Sequence, residues 1–166
     1  MLATLAGPAL GVERPDLARV EDLIVERTNA FRRAEGLPKV TPHPRLQAAA
    51  REFAYYMAQT ERYGHEADGR RPSQRAKGNG YDWCRVTENI SYQYSSSDFS
   101  TADLARRYFE GWKESPGHRA NMVDAMVSDT AVAVVRSGKN GYYYAVQMFG
   151  QTSRNVCDRR LRSTAR

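Results

Sequence analysis

The chain has 166 residues, 41% of them hydrophobic, enough for one domain with a proper core and too few for two. Its formal charge of +6 is concentrated near the C-terminus, where residues 154–166 carry five arginines against Asp158; no aromatic-and-basic stripe accompanies them, so nucleic acid is not an expected partner. Nowhere do about 18 apolar residues run together, so no membrane-spanning helix is expected.

The opening Met1–Leu10 has the apolar character of a secretory signal without its positive n-region. Residues 1–16 are therefore read as an arm or trimmed signal remnant, 17–153 as the domain, and 154–166 as a basic tail that is either solvated or drawn to an anionic surface. After Pro15-Asp16, Leu17, Val20, Ile24 and Phe31 recur at helical spacing until Gly36-Leu37-Pro38 stops them. A second helix follows Pro42 and Pro44, with Leu46, Ala49, Ala50, Phe53, Ala54 and Met57 in one stripe. From Tyr63 to Tyr81 glycines and polar residues predict a long loop with at most a short turn over 72–77, and it contains Gly64-His65-Glu66. Loops this long in a compact domain often serve function.

Trp83 to Tyr92 predicts a strand whose period of two puts Glu88 on the face of Cys84, Val86 and Ile90. A carboxylate there is costly unless paired. Its partner is either a backbone amide or an arginine such as Arg75, or else a histidine or a metal. A serine-rich loop, 94–100, leads to a helix that Ser100 and Asp103 can cap and that carries Leu104, Tyr108 and Trp112 on one side. It delivers the chain to Ser115-Pro116-Gly117-His118, in which serine reads as an N-cap and proline as the first helical residue. His118 then sits in a helical first turn, where the dipole disfavours a proton and keeps a lone pair available. It either packs there or serves as a ligand or base. Residues 131–135 and 142–149, joined by a segment ending in Asn140-Gly141, predict a hairpin. The sum is α+β with an antiparallel sheet.

Two cysteines, Cys84 and Cys157, are either unrelated buried thiols or a bridge. A bridge would close about 73 residues, stabilise the fold by on the order of 4 kcal/mol and fit an oxidising compartment.

Five blocks occur in order: Asn29 and Arg32 on the first helix, His65 in its glycine-flanked loop, Glu88-Asn89-Ile90, Trp112 with the run from Ser115 to Met122, and Tyr144 to Gly150. Together they resemble the CAP superfamily, the SCP domain of cysteine-rich secretory proteins, antigen 5 and plant pathogenesis-related proteins, in a bacterial style. The resemblance implies a three-layer α-β-α sandwich with a central antiparallel sheet, an extracytoplasmic (secreted or periplasmic) location, and a cleft where histidines and glutamates converge. It matches His65 and His118 to the cleft histidines, as ligands for Zn²⁺ or another divalent cation, and Glu88 to the strand glutamate. The family's second glutamate has no assured counterpart: Glu114 lies near that position, and Ser115 and Asn121 are neighbours. The family sheet would also bring Cys84 and Cys157 together.

Two functions follow from that resemblance. One is a non-enzymatic module whose cleft takes a divalent metal and a small-molecule or lipidic ligand, or a cell-envelope component. The other is a metal-dependent hydrolase or peptidase in which Glu88 activates water. The absence of a His-Glu-x-x-His helix counts against the second.

Overall fold

A computed structural model describes residues 13–152 and Cys157. In chain order the elements are α1 (Leu17–Ala34), β1 (Thr41–Pro42), α2 (Pro44–Thr60), α3 (Pro72–Gly78), β2 (Arg85–Gln93), α4 (Thr101–Glu114), α5 (Pro116–Met122), β3 (Asp129–Arg136) and β4 (Tyr143–Gln151). The sheet order is β1-β3-β4-β2. β3 and β4 form the expected antiparallel hairpin, β2 pairs antiparallel to β4, and the short β1 runs parallel to β3. The first 12 residues and, apart from Cys157, the basic tail lie outside the described residues.

Local chemistry sets the helix ends. The Asp16 carboxylate accepts from the Arg19 amide at 3.1 Å, capping α1. At the other end Gly36 takes φ +72° while its amide reaches Arg33 O and the Leu37 amide reaches Arg32 O. That pair of bonds is the Schellman motif, and its left-handed residue is what glycine supplies at no steric cost. The Ser100 hydroxyl caps α4 by accepting from the Asp103 amide at 3.1 Å.

Helices cover both faces of the sheet, giving the three-layer α-β-α sandwich. On one face α1 and α4 pack Val20, Ile24, Leu104, Tyr108 and Trp112 against Val132, Val134, Ala145 and Phe149. On the other, α2 and α3 pack Leu46, Phe53, Met57 and Ala76 against Ala131, Ala133, Val146 and Met148. Alternate residues of β3 and β4 thus serve opposite cores, so β4 is buried along its whole length and reads as an apolar run that Gln147 interrupts.

Past the two residues that β1 covers, the outer edge of β3 is satisfied by side chains. Gln47 accepts from the Val132 amide and donates to its carbonyl, and Glu21 accepts from the Val134 amide at 2.8 Å while pairing with Arg51. These bonds occupy backbone groups that another strand would otherwise pair with. The other edge strand, β2, carries the candidate site and is flanked by α3, α4 and α5. Cys84, just before β2, is disulfide-bonded to Cys157 with Cα atoms 6.3 Å apart.

Candidate functional site

Glu88 is the anchor. Its side chain is 1% exposed, and both carboxylate oxygens accept from Arg75 Nη2, at 3.0 and 2.8 Å. Oε1 also meets His65 Nδ1 at 2.9 Å. The two partners left open by the sequence, an arginine and a histidine, are therefore both present.

Arg75 projects from α3 with no exposed surface. Besides Glu88 it donates to Asp68 Oδ1 at 2.8 Å and to the carbonyls of Arg70 and His65. Its guanidinium lies 3.5 Å from the Phe53 ring centroid, where the quadrupole favours a cation. One arginine thus binds the His65 loop, the Asp68 turn and β2 into one unit. Gly64, at φ +137°, turns the chain so that His65 follows. The Tyr63 hydroxyl donates to Ile90 O at 3.1 Å and fastens the loop to the strand; burial is the main cause that raises the Tyr63 pKa above the usual phenol value.

His118 comes from the opposite side on α5, whose N-cap is Ser115 and whose first residue is Pro116. The Ser115 hydroxyl makes no cap hydrogen bond, contrary to expectation; the helix starts because proline fixes the first turn and the Ser115 carbonyl accepts from the Arg119 amide at 2.8 Å. Amides hold this helix to the sheet. Asn89 donates to His118 O at 3.2 Å and to Gln147 Oε1, and accepts from Asn121 Nδ2 at 2.8 Å. Asn121 also reaches Glu88 O, and Gln147 donates to Thr28. Burial, and secondly the positive charge His65 can carry, lower the His118 pKa below the ordinary histidine value. The ring is therefore neutral at physiological pH with a lone pair to offer.

The second carboxylate position is plain in the fold: Glu114 ends α4 exposed to solvent. Among the described residues no group of three or more His, Cys, Asp and Glu side chains is arranged to hold a metal ion. His65 is held on Glu88, whose carboxylate is fully engaged, and His118 lies near enough for charge on His65 to act on it. Sequence reasoning missed Asp68, since a polar residue in an irregular loop carries no periodic signal of burial. Gln147, 0% exposed, falls inside the Tyr144 to Gly150 block, where nothing in the sequence singles it out.

Residues 25–149 match the family model described as the cysteine-rich secretory protein family. The chain belongs to the CAP family. No curated protein sequence matches it significantly. Among solved structures, an outer surface protein from Borrelia burgdorferi is similar at a TM-score of 0.69 and 16% identity, over 80% of this chain and 92% of that one. An extracellular SCP-domain protein from Bacillus anthracis gives 0.67 and 20%, over 88% of this chain but 45% of its own. NaASP2, solved with Zn²⁺, gives 0.59 and 16%, over 87% and 84%. At these identities the likeness is one of fold.

Proposed function

We propose that this CAP domain is an extracytoplasmic binding module whose cleft takes a divalent cation through His65 and His118, and with it a small-molecule or lipidic ligand or a cell-envelope component. One observation carries the reading: His65 Nδ1 is spent on Glu88 Oε1 at 2.9 Å. With a carboxylate accepting there, Nδ1 holds the hydrogen and the neutral ring presents the lone pair of Nε2, the arrangement found in carboxylate-histidine-metal triads. His118, neutral for the reasons given, offers the second nitrogen. Two protein ligands leave most of the coordination sphere to solvent or to the ligand, which suits exchangeable Zn²⁺ rather than a closed structural site. The cation would supply a Lewis-acidic anchor for an oxygen ligand.

The disulfide and the extracellular relatives support a location outside the cytoplasm. A hydrolase using the same residues is the weaker reading. Glu88 would have to act as a base, yet its carboxylate is buried and both oxygens already serve Arg75 and His65. Calorimetric titration with Zn²⁺ tests the proposal: His65→Ala and His118→Ala should each weaken binding sharply, and unchanged affinity in both would sink it.

A further inference from the structure

Four tyrosines form a continuous run on the surface beside β2. Tyr63 meets Tyr92 edge-on at 4.9 Å, Tyr92 meets Tyr142 at 5.5 Å, and Tyr142 stacks on Tyr94 at 4.9 Å with planes 25° apart. Tyr63, Tyr92 and Tyr94 are 46%, 47% and 54% exposed, which makes them, with Tyr55, the large hydrophobics most open to solvent among the described residues. Rings that pack on one another and still show half their surface to water leave apolar area unburied in a fixed arrangement, and such patches mark binding sites.

The run starts one residue before Gly64-His65 and ends at a cleft of about 470 Å³. That cleft is polar, and its lining includes Tyr94, Ser95, Ser97, Asp98, Arg136 and Lys139. Its serine loop is fixed by a left-handed Asp98 (φ 64°) whose carboxylate accepts from the Tyr143 hydroxyl. Arg136 forms no ion pair among the described residues, and its guanidinium lies 5.7 Å from the centroid of the Tyr143 ring. A guanidinium that lines the cleft with no carboxylate paired to it leaves positive charge there for an anionic ligand.

We propose that this tyrosine run and the Arg136 cleft bind an oligosaccharide bearing carboxylates, laid along the rings. A pyranose has an apolar face that stacks on an aromatic ring and a rim of hydroxyls that pair with serine, asparagine and backbone groups. An open, polar-lined cleft suits such a chain and does not suit an acyl tail, which needs an enclosed apolar cavity. Arg136 and Lys139, which both line the cleft, select an acidic sugar over a neutral one. The inference goes beyond the cation reading and does not depend on it, so its test is run in the presence of a chelator.

The full chain is titrated calorimetrically with a galacturonic acid hexamer, an N-acetylglucosamine hexamer, poly-glutamate and a polyproline peptide. The uronate hexamer should bind best and the neutral hexamer more weakly. Tyr92→Ala and Tyr94→Ala should each weaken both by about tenfold or more in a protein that still folds, because each ring is only about half buried. Arg136→Gln should erase the preference for the acidic hexamer. The proposal is overturned if neither saccharide binds, or if Tyr94→Ala binds as the parent does. It is equally overturned if poly-glutamate or polyproline competes on level terms, since general anion attraction or a peptide groove would then explain the surface.

Discussion

The two walls that carry His65 and His118 are built from different chemistry. The His65 wall is ionic: Arg75, Asp68 and Glu88 meet with 0%, 3% and 1% of their side chains exposed. The His118 wall is neutral, an amide chain running through Thr28, Gln147, Asn89 and Asn121 to the His118 carbonyl. Charges removed from water hold position strongly but tolerate no loss of a partner, whereas amides tolerate partial satisfaction at lower cost. The ionic wall therefore orients a side chain, fixing the tautomer of His65. The amide wall orients a backbone, seating α5, and His118 with it, against β2.

Breaking the ionic wall should do the greatest damage. Arg75→Met leaves Asp68 and Glu88 buried beside each other's charge, and removing one member of a buried ionic group costs about 3–5 kcal/mol. Urea denaturation checks this; a loss under about 1 kcal/mol would mean that the network is solvated in solution. Glu88→Leu should also destabilise, since Arg75 then keeps Asp68 alone, and it should remove Zn²⁺ binding with the loss of the His65 orientation. Combined with Arg75→Met it should cost less than the two singles together, because each removes the partner the other strands, leaving only Asp68, which keeps Arg70. A Glu88→Leu protein that binds Zn²⁺ like the parent would separate Glu88 from the histidines. The conservative Glu88→Gln should fold and lose about 10–100-fold in Zn²⁺ affinity.

The amide wall should break more gently. Asn89→Ala strands groups on Gln147 and Asn121 in the interior, at about 1–3 kcal/mol. Its Zn²⁺ affinity should fall less than that of Glu88→Gln, and the reverse order would invert the division of labour between the walls.

How legible these walls were in the sequence follows from where each residue stands. Helix stripes, caps and the hairpin were readable because they repeat at 3.6 or 2 residues and carry end signals, as Asp16, Gly36 and Ser100 do. The two-residue β1 was not, having no room for a period. Glu88 showed itself by breaking an apolar strand face, but Asn89, on the opposite face, is buried as well. The expected alternation fails there because α3 stands on one side of the strand and α4 and α5 on the other. Arg75 was named only as one open partner, and its many contacts depend on loop closure that no local pattern encodes. Ser115 looked like a cap by composition, yet its hydroxyl makes no cap bond. The disulfide was visible as a pair of cysteines, while its formation depends on how the fold brings their Cα atoms together.

The smallest expected effect lies on pH and separates the two histidines. The His118 pKa is lowered from 6.5, first by burial and then by His65. Below that value the unfolded chain takes up a proton that the folded one resists, so the unfolded state binds more protons and stability falls as pH drops from about 6.5 toward the lowered folded value. Above 6.5 neither state holds the proton and the contribution is flat. The ring is only partly buried, which keeps the slope shallow. His118→Asn should flatten stability in that window while leaving the Arg75 network intact, and denaturation curves at closely spaced pH values would show it. Added Zn²⁺ should steepen the parent's slope in the same window, because the cation and the proton compete for one lone pair. A slope that is the same in parent and mutant, with and without Zn²⁺, would place the titrating group elsewhere and leave His118 as a packing residue of α5.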